Sequence, residues 1–177
     1  MFYIEDKNFL KKHHEKFIED VVMGENFPFY ILKDAAEKDG CDLLTHIIKH
    51  RAENIDVGNP EFNSNFYPDA LNIVYSFFSK NKIKFKKILR LAFNLTYNNG
   101  FDKCGLHEDH NYPHKQLIIY LNDVLDKNSK TVILDKNKKI FKEIIPEKYK
   151  GVCFDSHLHY HYFPKKGKRI VLVCTFE

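Results

Sequence analysis

Long apolar runs are missing from this sequence. No window approaches the roughly eighteen uncharged apolar residues that a membrane-spanning helix requires. The start, Met1-Phe2-Tyr3-Ile4-Glu5-Asp6, has neither the basic stretch nor the apolar core of a secretory leader, so a soluble, cytoplasmic protein is expected. Cys41, Cys104, Cys153 and Cys174 make no CxxC pair and no short-loop spacing, and nothing in them demands an oxidising compartment. Cys153 and Cys174 lie in apolar runs and read as small core residues, while the closeness of Cys104 to His107 is only a weak pointer to an adventitious metal or oxidation site. A strong excess of one charge is also lacking. Lys and Arg number 28 against 24 Asp and Glu, a formal +4, with the two signs interspersed. A nucleic-acid surface needs a denser basic stripe with aromatics between its charges, so this pattern argues against one. Internal repeats, linkers and a second domain are absent as well.

What is present is a chain of 177 residues, enough for one domain with a real core. Hydrophobic residues make up 44% and aromatics 15%, which argues against disorder despite the many lysines and asparagines. The single domain, 1–177, divides into a mainly helical support and lid over 1–87 and a strand-rich core over 88–177.

In the first part, Phe2-Tyr3-Ile4 reads as a short strand. Asp6 or Asn8 can cap a following helix whose stripe is Phe9, Leu10, Phe17, Ile18, Val21 and Val22, ended by Gly24. Phe27 to Leu32 reads as extended, and Asp42 to His50 fits either a strand or a short helix. Ala52 to Asn65 is rich in Asn, Asp, Gly, Pro and Ser and reads as loop. Pro68 opens a second helix to about Lys80, with Leu71, Val74, Tyr75 and Phe78 on one face. Strands follow at Ile88–Tyr97, Gln116–Leu121, Thr131–Leu134 and Ile140–Ile144, the last two joined as a hairpin around Lys136-Asn137-Lys138. Val152–Asp155 starts another and Arg169–Phe176 closes the chain. Short strands between regular turn signals suggest a sandwich or jelly roll.

His107-Glu108-Asp109 is the densest chemical signal. In an extended segment residues i and i+2 project to one side, so His107 and Asp109 can reach one ion while Glu108 points away. A third ligand from a distant strand would complete the two-histidine, one-carboxylate set of a mononuclear non-haem Fe(II) centre with open positions. His157, His159 and His161 alternate, share one strand face, and are equivalent candidates on geometry alone.

The order Tyr97-Asn98-Asn99-Gly100, His107-Glu108-Asp109, Ile118-Ile119-Tyr120-Leu121-Asn122, then His159, Pro164, Gly167 and Arg169, resembles the prolyl-hydroxylase-like branch of the Fe(II)/2-oxoglutarate-dependent dioxygenases. The resemblance covers about Arg90 to Phe176. It implies an α+β protein, a double-stranded β-helix (jelly roll, cupin-like) with N-terminal supporting helices. It also singles out His159 as the distal ligand, because its spacing to Pro164, Gly167 and Arg169 matches. By the same resemblance, His107, Asp109 and His159 hold Fe(II), and Arg169 pairs with the far carboxylate of 2-oxoglutarate. A guanidinium suits that task, being a planar donor fork that does not titrate away. Tyr97, Tyr120 and Thr131 match positions that help hold the co-substrate. The Gly-Gly common before the threonine strand is replaced by Asn128-Ser129-Lys130, a departure that puts the nearby wall in question. His110, His114, His157 and His161 fall outside the pattern; of two readings, binding a substrate carboxylate or coating the pocket mouth, the second is favoured.

The implied reaction consumes 2-oxoglutarate and O2, releases succinate and CO2, and hydroxylates a C–H bond of an amino acid, another small metabolite or a peptidyl (for example prolyl) substrate. Asp109 favours hydroxylation over halogenation, which needs a small residue there. The Asn54–Asn65 loop and the His110–Lys115 segment are natural lid elements. Two rival readings stand beside it. A cupin-like metal-binding protein or isomerase would use the ligands without 2-oxoglutarate and would not need Arg169. A nucleic-acid module would rest on the lysines from Lys80 to Lys87.

Overall fold

Residues of alternating character build the centre of the protein. The computed structural model describes residues 2–33, 40–51 and 64–177. The Ala52–Asn65 loop therefore lies outside the described residues, apart from Ser64 and Asn65.

In chain order the elements begin with β1 (Tyr3–Asp6) and α1 (Lys12–Phe17), which widens into a π turn over Ile18–Val22. Next come β2 (Tyr30–Leu32), β3 (Leu43–Lys49) and α2 (Tyr67–Lys80), then β4 (Ile88–Tyr97), β5 (Lys115–Tyr120) and β6 (Thr131–Leu134). The chain finishes with β7 (Ile140–Ile144), β8 (Gly151–Asp155), β9 (His159–His161) and β10 (Lys168–Phe176). Seven strands form one sheet in the order β1-β8-β5-β10-β4-β3-β2, and three form a second in the order β7-β6-β9. Every recorded strand pair is antiparallel. Bridges Lys103↔Tyr162 and His107↔His159 continue the second sheet beyond β9.

Strand alternation gives the wide sheet two different faces. Leu91, Phe93, Leu117, Ile119, Leu172 and Cys174 point to one side and pack against Ile73, Val74, Phe77 and Phe78 of α2. Ile118, Tyr120, Val171 and Val173 point to the other and meet Ile133 and Ile144 of the second sheet. Gly151 is what lets α2 approach so closely. A Cβ there would stand 2.6 Å from the Phe77 ring.

The N-terminal half contributes more strand than expected: β1, β2 and β3 all join the wide sheet. The ambiguous Asp42–His50 stretch is β3, where Leu43, Thr45 and Ile48 are buried and pairing with β4 settles the choice. The period of α2 is as read, but its face is rotated. Ala70, Ile73, Val74, Phe77 and Phe78 are buried while Tyr75 is exposed against Phe85, because the larger aromatic stripe takes the core. Cys153 and Cys174 are fully buried in the helix-side core. Among the described residues, no helix is long and apolar enough to cross a membrane.

Candidate metal centre

The space between the two sheets is polar at one end. Even-numbered residues of β4 carry Arg90, Asn94 and Thr96 inward, β5 adds Gln116 and β10 adds Arg169, all lining one cavity with His107, Asp109 and His159. Register explains the meeting. Arg169 is paired with Thr96 across β10 and β4, and His107 is bridged to His159 through two backbone hydrogen bonds of 3.1 and 2.9 Å. Gly167, at φ 75°, makes the left-handed turn that leads into β10.

One ligand atom each from His107, Asp109 and His159 lies within 4.8 Å of the others. His157 and His161, equal candidates by alternation, are not in this group. The His107 Nδ1–H donates to the Gly105 carbonyl at 2.9 Å and the His159 Nδ1–H to the His157 carbonyl at 2.9 Å. Those bonds leave both Nε2 lone pairs available, the arrangement by which a second hydrogen bond orients a metal-binding imidazole. His159 Nε2 stands 3.7 Å from Asp109 Oδ2, and that oxygen is buried with no hydrogen-bond partner among the described residues. Gln116 Nε2 lies 3.4 Å from the same His159 nitrogen.

The other Asp109 oxygen is well supplied. Arg51 Nη2 donates to Oδ1 at 2.5 Å and Arg90 Nη1 at 3.3 Å. Burial disfavours the Asp109 charge, but His159, Arg90 and Arg51 together hold its carboxyl well below the usual carboxylate range. Burial, then His107, push His159 down to about 4 against the pull of Asp109, so its ring is neutral at pH 7. Burial and then Arg51 push Arg90 down to about 10, still charged at pH 7. The donor set fits a divalent cation of the Fe(II) type: two imidazole Nε2 atoms, one ionised carboxylate oxygen with no hydrogen-bond partner among the described residues, and a buried setting.

Arg169 is a third buried charge of the cavity, after Asp109 and Arg90, and is 3% exposed. Its Nη2 donates to Thr131 Oγ1 at 2.8 Å, Tyr120 Oη stands 2.8 Å from the same oxygen, and the guanidinium carbon lies 5.2 Å from the Tyr120 ring centre. Its Nε is buried without a partner among the described residues. The structure thus brings together six of the seven site residues expected from sequence: His107, Asp109, His159, Arg169, Tyr120 and Thr131. Tyr97 is the exception. It is 40% exposed and lines no part of the cavity, since alternation turns its neighbour Thr96 inward instead.

The expected coat of histidines is mostly not a coat. His110 is buried, with Nε2 2.8 Å from Thr175 Oγ1, and His114 is buried beside it. His161 lines the cavity, its Nδ1 3.2 Å from Cys104 Sγ. His157 faces the outer groove, and His114, though buried, also contributes to its lining. Sequence reading missed Arg51, Arg90, Asn94, Thr96 and Gln116. For the four on strands the signal available was polar residues at alternate positions in otherwise apolar stretches; Arg51, past the end of β3, had none.

No family model matches the chain, and no curated protein matches it by sequence. Solved structures do match. A 2OG-Fe(II) oxygenase family oxidoreductase from Burkholderia pseudomallei superposes with a TM-score of 0.76 at 14% identity, covering 99% of this chain and 84% of its own. A Trichoplax adhaerens prolyl hydroxylase, solved with a hypoxia inducible factor peptide fragment, gives 0.71 at 12% identity, with coverages of 98% and 82%. A Pseudomonas putida prolyl-4-hydroxylase gives 0.62 at 12% identity, with coverages of 99% and 92%. At these identities the likeness is one of fold: the chain shares its fold with the 2OG-Fe(II) oxygenases, prolyl hydroxylases among them.

Proposed function

We propose that the protein is a non-haem Fe(II)- and 2-oxoglutarate-dependent dioxygenase built on a double-stranded β-helix. In this reading it hydroxylates a C–H bond of an amino acid, another small metabolite or a peptidyl substrate such as a prolyl residue. The observation that carries the reading is the conjunction in one cavity of the His107–Asp109–His159 cluster and a buried Arg169 with an unpartnered Nε. Topology supports it. Strands β8-β5-β10-β4 of the wide sheet face the three strands β7-β6-β9, which isolated bridges at Lys103 and His107 extend.

His107, Asp109 and His159 would hold the metal, and Arg169 would take the far carboxylate of 2-oxoglutarate through its planar donor fork. When bound, Fe(II) with 2-oxoglutarate and O2 supplies the oxidising power for hydroxylation, with succinate and CO2 as co-products. This chain supplies the rest. Thr131 and the Tyr120 ring fix the Arg169 head, so its donors are oriented before the co-substrate arrives. Backbone carbonyls fix both imidazoles, and Ile118, Val171 and Val173 keep bulk water from the inner wall. A cupin-like metal protein without 2-oxoglutarate gives no reason to bury Arg169 at this depth.

The test is O2-dependent succinate release from 2-oxoglutarate, screened across free amino acids, peptides and nucleotides. Release that disappears in His159→Ala, and that needs a much higher 2-oxoglutarate concentration in Arg169→Ala, supports the assignment. Metal-loaded protein that consumes no 2-oxoglutarate with any of them would contradict it.

A further inference from the structure

The cavity holds more positive charge than the proposed cofactors explain. Arg51, Arg90 and Arg169 all line it, and among the described residues Asp109 is the one carboxylate in its lining. Fe(II) brings two positive charges and 2-oxoglutarate two negative ones, so loading both leaves the balance unchanged. Three guanidiniums against one carboxylate leave two positive charges over, and the cavity's imidazoles can only add to that. Arg169 has its partner in the 2-oxoglutarate carboxylate. Among the described residues, the one carboxylate oxygen that Arg51 and Arg90 meet is Asp109 Oδ1, which they share at 2.5 and 3.3 Å.

That sharing is a poor use of two guanidiniums. Each offers five donors, and buried donors left unmade are expensive. Arg90 is 9% exposed on the inner face of β4, and Arg51 Nε is buried without a partner among the described residues. Asp109 Oδ2 is the oxygen that faces His159, so once Asp109 serves as a ligand its charge is divided between metal and arginines. A second anion beside Oδ1 would satisfy the spare donors and cancel the excess. The walls nearby, Leu43 and Asn94, add one apolar and one amide surface and no competing carboxylate.

We propose that Arg51 and Arg90 form a substrate-anion subsite, and that the molecule oxidised is a small organic acid, such as a free amino acid, whose carboxylate they hold. This rests on the dioxygenase reading. A carboxylate gripped by these two guanidiniums lies beside the oxygen of a ligand residue, so the C–H bonds next to it are presented at the centre. An internal residue of a peptide has only amides to offer there, and leaves the excess charge uncancelled. Arg51 and Arg90 are thus specificity residues, while Arg169 serves the co-substrate.

The experiment measures binding without turnover. Protein loaded with Mn(II) and 2-oxoglutarate under argon is titrated by calorimetry with the free amino acids, their C-terminal amides, and phosphate monoesters. The expected result is a free acid that binds at least about tenfold tighter than its own amide, the discrimination of a site built for a charged group. Arg51→Gln should erase that preference and Arg51→Lys should keep part of it, each variant being titrated at Mn(II) and 2-oxoglutarate concentrations that saturate it, because Arg51 also supports the ligand Asp109. Arg51 is one-third exposed, so these variants should fold, and their thermal unfolding checks that they do. Acids and amides that bind alike, no binding by any acid, or a preference for phosphate esters would overturn the inference. So would a preference for acids that survives Arg51→Gln. Failure of Mn(II) or 2-oxoglutarate to bind intact protein would instead remove the dioxygenase reading beneath it.

Discussion

The two faces of the central strands make opposite demands on the same backbone. On the helix side, Leu91, Phe93, Leu117, Ile119 and Leu172 bury apolar surface against α2. On the cavity side of those strands stand Arg90, Asn94, Thr96, Gln116 and Arg169. The first face stabilises the protein at about 25 cal/mol per Å² of apolar surface removed from water. The second spends part of that stability, because buried polar and charged groups are retained only where they are paired. One face therefore holds the fold and the other holds the chemistry, with a period of two residues separating them.

Asp109→Ala should break the cavity face most severely. Metal affinity should fall by more than about a hundredfold, since a direct ligand matters more than the outer partners whose loss alone reaches that range. The change also strips Arg51 and Arg90 of their shared partner, and unfolding by denaturant should show a loss of about 3 kcal/mol. Phe77→Ala is the matching cut on the helix face. Phe77 is fully buried and meets Phe9 edge-on at 4.9 Å between ring centres. Its loss should cost about 3–5 kcal/mol while leaving metal affinity near normal at low temperature. If metal binding collapses along with stability in this variant, the two faces are not independent.

Acid should weaken both faces. Burial, then His13 and Lys11, lower His14 on the helix side from 6.5 to about 4, and His159 in the cavity is lowered to about 4 by burial and His107. For each, the unfolded chain takes up a proton first. Stability is therefore complete above about pH 6.5 and declines as pH falls toward 4. His14→Gln should flatten the dependence partly in metal-free protein, and bound metal should steepen it, since protons then compete at the site. A stability profile flat from pH 7 to 4 would contradict the burial of both rings.

The smallest effects separate two tyrosines. Tyr120→Phe removes the hydroxyl beside Thr131 Oγ1 and should weaken 2-oxoglutarate binding by about 1 kcal/mol, a several-fold change in dissociation constant. Tyr97→Phe should change it by less than about 0.5 kcal/mol, as expected for a side chain outside the cavity. Equal losses would mean that Tyr97 reaches the co-substrate after all.

Much of this was legible in the sequence, for physical reasons. Strands β4, β5, β6, β7 and β10 announce themselves by β-branched and aromatic residues between turn signals, and His107 and Asp109 by a spacing that only an extended backbone converts into one ligand face. The apolar core on both sides of the wide sheet follows from runs that are hydrophobic at nearly every position. What escaped was anything decided by a partner strand. Asp42–His50 became β3 only through pairing with β4. Tyr97 and Thr96 exchanged places because one residue of register decides which side chain enters the cavity. Arg90 went unread because an arginine in a strand is ordinarily an edge or surface group, and Arg51 because it lies past the end of β3 with no local pattern to mark it; only the fold brings both to Asp109.

The most direct test of the central claim is the visible spectrum of the protein with Fe(II) and 2-oxoglutarate in the absence of O2. The account predicts a weak charge-transfer band that appears only with both present, vanishes in His159→Ala, and needs more 2-oxoglutarate to develop in Arg169→Ala. Intact protein that binds Fe(II) at His107, Asp109 and His159 yet shows no such band at saturating 2-oxoglutarate would contradict it.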